Sequence, residues 1–145
     1  MSAMTRDSTA QLLQRVERLA RDIFNEIGAG LSESVYQQSL GVALREAGHT
    51  VELERVLPVM YHGQHVGTLR ADVVVDGELV VELKVCARLT EAHVAQLRAY
   101  LLRTTDAHRG ILVNFGLGGV ETRVVHLMPE ECPPPVCPDD LPVDS

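Results

Sequence analysis

Between Leu69 and Lys84 the chain runs through two β-forming stretches, Val73-Val-Val75 and Leu79-Val-Val81, on either side of an Asp76-Gly77 turn. A hairpin with one wet side alternates apolar and polar residues. Here both faces are apolar, so a layer must cover each of them. This is the strongest constraint in the sequence, and it selects an α/β fold in which a central sheet is sandwiched between helices.

The rest of the chain supplies those layers. Ser8-Thr-Ala-Gln11 has the form of a capping box, and Leu12, Val16, Leu19, Ile23 and Ile27 follow at helical spacing, which predicts a helix over 8–27 that Gly28-Ala-Gly30 stops. Ser32 is placed to cap a second helix running to about Ala47, before Gly48. Strands are expected over 50–61 and 66–75, with Pro58 arguing for an edge position or a bulge, and Thr90 is expected to cap a helix to about Thr104. Two more strands, 110–115 and 122–127, flank the Gly116-Leu-Gly-Gly119 turn. The order ααβββαββ gives a mixed sheet of about five strands, with the first two helices on one side and the third on the other.

Length fits one domain, expected over 8–128. Residues 129–145 hold most of the seven prolines, five acidic residues and no Lys or Arg, and read as an irregular or disordered acidic tail. Removing those five from the formal charge of −7 leaves −2 for the body, with no basic footprint of the kind that holds a duplex tightly. The weak basic character points to a homodimer or a protein partner that supplies binding surface. No apolar run approaches the ~20 residues of a membrane helix, and no signal peptide is apparent, so a cytoplasmic location is expected. Cys86, Cys132 and Cys137 do not suggest a disulfide framework. Cys132 and Cys137 read as part of the solvated tail rather than as half of a zinc site, because a second Cys pair is lacking.

Three charges stand in the apolar hairpin: Asp72, Glu82 and Lys84. Unpaired charge buried in a sheet costs roughly several kcal/mol, so these groups must meet each other, a cation or an anion. Glu82 and Lys84 share a strand face, about 7 Å apart. Asp72 joins that face only if the hairpin is irregular. A two-residue loop pairs it with Val81, on the wrong side, whereas a three-residue loop, 75–77, with Gly77 left-handed pairs it with Val80 and brings it round. With that geometry Asp72 and Glu82 are hard oxygen ligands for Mg2+ or Mn2+, the main-chain carbonyl of Leu83 is a further donor, and Lys84 can orient water or neutralise charge on a phosphate. On spacing alone, an ion pair of Lys84 with Glu82 or Asp72 at a solvated strand end explains the charges as well.

Longer motifs carry a resemblance. Gly30-Leu-Ser-Glu33-Ser-Val-Tyr36 is similar to the signature of the GxxExxY proteins, and Asp72 with Glu82-Leu-Lys84 resembles the core motif of the PD-(D/E)XK nuclease superfamily to which they belong. Gln96-Leu-Arg-Ala-Tyr100 resembles the QxxxY motif of the RecB-like branch, and Gly110-Ile-Leu-Val-Asn114-Phe115-Gly116 is similar to a family strand. The similarity runs over roughly 10–127, with Ala71 standing where the superfamily name has Pro. It implies a restriction-endonuclease-like core and a metal-dependent nuclease acting on a phosphodiester, in DNA before RNA. Asp72 and Glu82 would hold the metal, Glu33 would complete its shell, and Gln96 and Tyr100 would position substrate. The rival reading is a non-catalytic nuclease-like module for protein or nucleic-acid interaction.

Several residues have plainer readings beside these. Glu33 also suits the positive end of a helix, and Tyr36 reads as a core aromatic with its hydroxyl at the rim. His93 reads as a surface helix residue, and Arg98 and Arg103 as exposed arginines within reach of phosphates. Asn114 reads as a strand-end hydrogen-bonding residue and Cys86 as a small apolar filler.

Overall fold

Each apolar face of the hairpin is covered, and by the helices the sequence assigns to it. The structure, a computed structural model, describes residues 6–132. Its elements are α1 (Arg6–Ile27), α2 (Glu33–Glu46), β1 (Val51–Tyr61), β2 (Gln64–Val75), β3 (Leu79–Lys84), α3 (Glu91–Leu101), β4 (Arg109–Gly116) and β5 (Gly119–His126). The five strands lie in sequence order, antiparallel except for the parallel β3–β4 pair. That crossover carries α3 over the sheet.

Leu12, Val16, Ala20 and Ile23 of α1 recur every three or four residues, so they form one stripe. With Tyr36, Leu40 and Leu44 of α2 they bury Val73, Val75, Val81, Leu83, Val113 and Phe115. The opposite face packs Val74, Val80 and Leu112 under Leu97, Tyr100 and Leu101 of α3. Gly110 of β4 is the closest approach: a Cβ there would stand 2.8 Å from Leu97 Cδ1. Glycine lets α3 settle directly on the strand.

Helix starts follow the sequence at α2 and α3 but not at α1. α1 begins at Arg6, so Ser8 lies inside it and does not cap it; neither residue 6 nor 7 is a helix breaker, and the helix continues through them. Ser32 is the N-cap residue of α2 without a side-chain bond, whereas Thr90 forms a full capping box with His93. Pro58 lies on β1, an edge strand, next to a register shift at Val59/Met60, so both readings of that proline hold. Residues 129–131, assigned to the tail, make a 3-10 turn whose Glu131 binds Arg98, and Cys132 packs partly against the α3 cluster. Cys137 and the remainder of the tail lie outside the described residues.

The hairpin is irregular, as the site requires, but its extra residue differs from the expected one. Asp76 and Gly77 are both left-handed (φ 53° and 69°), and Glu78 N–H donates to Val75 O at 3.0 Å. The ladder then pairs Val75 with Leu79 and Val73 with Val81, so Glu78 is the unpaired residue. One step further along this register Asp72 faces Glu82, not Val80. The parity is the expected one; the partner is different because the insertion falls after the turn rather than before it.

Candidate active site

At Asp72 the sheet splits. The β2–β3 ladder ends at Val73–Val81, and beyond it two carboxylates take over the pairing: Asp72 N–H donates to Glu82 Oε1 at 3.3 Å, and Leu83 N–H to Asp72 Oδ2 at 2.8 Å. On the other side of β2 the ladder steps from Leu53–Val73 to Arg55–Ala71, skipping Glu54, which is left-handed (φ 57°). Alternation inverts there: Val73 packs on the α1/α2 side, yet Ala71 sits in the α3 cluster. Gln37 of α2 crosses to this break, its Nε2 donating to Asp72 O at 2.9 Å from a buried position.

The fork opens into a cleft of about 400 Å³ lined by Glu33, Asp72, Glu82, Lys84, Gln96 and Tyr100, together with Val56, Thr68, Leu69 and Arg70. All six side chains expected at the site therefore meet. Leu83 takes part through its main-chain N–H, and its side chain belongs to the α1/α2 core. Lys84 Nζ donates to Gln96 Oε1 at 2.8 Å. Among the described residues Lys84 forms no ion pair; its amine is held by a neutral amide and acts on Asp72 and Glu82 only at longer range.

Burial first, and then the neighbouring Asp72, push Glu82 up to about 8. Burial likewise raises Asp72, and burial followed by repulsion from Asp72 raises Glu33. Asp72 Oδ1 and Glu82 Oε2 have no hydrogen-bond partner among the described residues. Each carboxylate thus spends one oxygen on the main chain and keeps the other without such a partner in the cleft that both line, a pair of hard donors that fits Mg2+ or Mn2+. Among the described residues no three His, Cys, Asp or Glu side chains converge as a ready three-ligand cluster. Glu33 borders the cleft as a neighbour of the pair.

The family model of the PD-(D/E)XK nuclease superfamily matches residues 10–125. The chain belongs to that superfamily. Its fold is also similar to the crystal structure of SSO0001, with a TM-score of 0.54 and 20% identity over 68% of this chain and 52% of that one. The chain spans about half the length of SSO0001, and the likeness concerns the fold alone. No curated protein matches the chain.

Within this superfamily domain the flanking motifs act as scaffold for the fork. Gly30 is left-handed (φ 88°), which turns the chain into α2 and brings Glu33 to the cleft. Tyr36, fully buried, stacks on Phe115 (centroids 4.2 Å apart, 7° between planes), and its hydroxyl donates to Gly28 O at 2.6 Å. Its hydroxyl is turned into the loop before α2 rather than to solvent. Asn114 clamps the segment that leaves Lys84: it accepts from Cys86 N–H and donates to Cys86 O, both at 2.9 Å. Glu121 takes the Leu89 N–H at 2.8 Å, just before α3. Cys86, half-buried rather than core, donates its thiol to Arg88 O.

His93 has a structural task, its Nδ1 accepting the Thr90 N–H. Arg98 and Arg103 bind Glu131 and Ala99 O, so neither faces the cleft as a phosphate ligand. Sequence reasoning missed Gln37, Glu54 and Arg70. Gln37 carried a signal: it is a polar residue four positions after Glu33, on a helix face otherwise made of Tyr36, Leu40 and Leu44. Glu54 carried none, since its left-handed backbone arises from the strand pairing.

Proposed function

We propose that the chain is a divalent-cation-dependent nuclease that hydrolyses phosphodiester bonds in DNA, of the GxxExxY type with a RecB-like QxxxY helix. What supports this reading is the fork itself: two carboxylates raised by burial, Glu82 further by Asp72, each bonded to the main chain through one oxygen and lining the cleft beside a lysine that forms no ion pair with them. Asp72 and Glu82 would hold the ion, with the Leu83 carbonyl and Glu33, through water, as further donors. When bound, Mg2+ or Mn2+ would polarise the scissile phosphate and lower the pKa of water.

The chain's own groups have separable tasks. Gln96 holds the Lys84 amine through a single neutral bond, which leaves its other protons for water or a phosphate oxygen. Among the described residues the Tyr100 hydroxyl is buried without a hydrogen-bond partner, and Tyr100 borders the cleft, so a small shift of the wall would let it donate to substrate. Arg70, beside Asp72, adds positive charge at the entrance. A location in the cytoplasm and a homodimer or protein partner that supplements the weak basic surface complete the reading. The absence of a preformed three-ligand cluster among the described residues favours, as the second reading, a nuclease-like module that binds without cutting.

Thermal melting with Mn2+, Mg2+ or EDTA, together with cleavage of labelled single- and double-stranded DNA and RNA, separates the two. A nuclease gains stability with the ion and cuts DNA, and Glu82→Gln removes both effects. If the ion leaves melting unchanged and no strand is cut, the catalytic reading is wrong.

A further inference from the structure

The cleft is electrically one-sided. On its β1–β2 flank, residues 51–70 hold two Lys or Arg side chains, Arg55 and Arg70, and both are paired: Arg55 lies 2.8 Å from Asp106 and Arg70 3.9 Å from Glu54. What this flank otherwise offers the cleft is Val56, Thr68 and Leu69. On the β3–β4 flank the cations are free. Lys84 Nζ donates to the neutral Gln96, and the exposed Arg88 guanidinium has no hydrogen bond or ion pair among the described residues. Arg88 lines a groove of about 320 Å³ together with Asn114, the ladder partner of Lys84, so the groove lies beside the Lys84 row of the sheet. The Gly116–Gly119 turn lines it as well, and among the described residues neither Leu117 nor Gly118 spends its N–H on a partner. Glu121, also in the groove, has Oε1 committed to Leu89 N–H and Asn114 Nδ2.

Resting on the nuclease reading above, we infer that the substrate of this cleft is the end of a single strand: the terminal nucleoside lies against Val56 and Leu69, the scissile phosphate at the fork, and the remaining chain leaves past Lys84 to Arg88 and the Gly116–Gly119 turn. A strand cut in its middle carries phosphates on both sides of the cut. On the β1–β2 flank such a phosphate would meet no free Lys or Arg, and Glu33 and Glu54 would repel it. A terminal nucleoside brings no charge to that side. At about 400 Å³ the cleft also lies near the lower end of the roughly 300–1,000 Å³ of small-molecule sites, which suits one nucleotide unit rather than a duplex. Two free cations answer for few phosphates, and a chain of formal charge −7 has no basic stripe for more. In each turnover the oxygen of water bonds to the scissile phosphorus, the bond from that phosphorus to the ester oxygen of the longer chain breaks, and that oxygen takes a proton to become the new terminal hydroxyl. One mononucleotide leaves, and the next end is uncharged again.

The test gives the full chain Mn2+ and one single-stranded DNA in two forms, linear and closed into a circle, with Glu82→Gln as the blank. The expected result is that the linear form loses mononucleotides from one end while the circle stays intact, and that a terminal phosphate placed on that end slows the trimming. Arg88→Ala should raise KM several-fold at unchanged kcat and flatten the dependence of log KM on log salt by about 0.7, the share of one phosphate on a single strand, and Arg88→Lys should retain both. A circle cut as fast as the linear strand overturns the inference and leaves the nuclease reading standing. So does a terminal phosphate that speeds trimming, which would remove the nucleoside from the apolar flank, or an Arg88→Ala chain with unaltered KM and salt dependence, which would remove the strand from the groove. If neither form is cut, the nuclease reading fails and this inference with it.

Discussion

Under α1 and α2 the sheet is sealed: Val73, Val75, Val81, Leu83 and Phe115 meet Val16, Tyr36, Leu40 and Leu44, and among the described residues α2 reaches the strands with a buried hydrogen bond only where Gln37 meets the break at Asp72. Under α3 the same strands carry Asp72, Glu82 and Asn114 buried beside Ala71, Val74 and Val80, and the ladder gives way to side-chain bonds. One face therefore holds the fold together while the other carries charge that opposes it. Each fully buried Val, Leu or Phe contributes about 1.5–3 kcal/mol, so a dozen of them outweigh two poorly solvated carboxylates. The sealed face makes the strained one affordable.

This contrast breaks most visibly if the sealed face is opened. Tyr36→Ala removes a stacked, fully buried ring and should cost about 3–5 kcal/mol by urea denaturation, whereas Tyr36→Phe, which loses the bond to Gly28 O and the longer one from Leu31 N–H, should cost about 1 kcal/mol. Similar losses for the two would show that the hydroxyl, not the ring, secures the loop before α2.

On the charged face the sign should reverse. Glu82→Gln keeps the oxygen that accepts the Asp72 N–H and is neutral in both the folded and the unfolded chain, so it avoids the proton uptake that burial forces on Glu82 and should raise the stability of the metal-free chain at pH 7 by about 1–3 kcal/mol. Glu82 binds its proton more tightly folded than unfolded, since its pKa rises from 4.5 to about 8. Its stabilising share is thus complete below pH 4.5 and is lost as pH rises through about 8. Melting curves across that window should fall for the metal-free wild type and flatten for Glu82→Gln, and Mn2+ should offset the fall. A wild-type curve already flat would mean that the fork is better solvated than its burial indicates.

Asn114→Ala frees both main-chain groups of Cys86 and should cost about 1–3 kcal/mol. If the clamp serves the site, kcat should fall more than stability alone explains, with KM little changed, because Lys84 lies two residues before the clamp. The smallest effect belongs to His93→Ala, which opens the α3 capping box for about 0.5–1 kcal/mol and should leave metal binding intact. A loss of metal binding there would return His93 to the site.

Much of the scaffold was legible because it rests on local chemistry. Thr90 and Gly77 act where their side chains, or the lack of one, demand, and the stripe of Leu12, Val16 and Ile23 turns inward at helical period. Ser8 misled because a capping pattern marks a start only when the preceding residues leave the helix. The candidate residues Glu33, Asp72, Glu82, Lys84, Gln96 and Tyr100 were legible as chemistry, yet their meeting was not a local property.

By itself the sequence determined that a twice-covered hairpin must lie in the middle of a layered domain, since apolar residues on both faces have nowhere else to go. It determined as well that three charges on that hairpin need an answer. Tertiary structure decided the answer: Glu78 rather than Val75 is the extra residue, Glu54 turns left-handed opposite Asp72, Gln37 crosses from α2, and Gln96 rather than a carboxylate takes Lys84. The physical reason is that strand register is written in the contrast between a wet and a dry face. Where both faces are dry, neighbouring strands and helices set it.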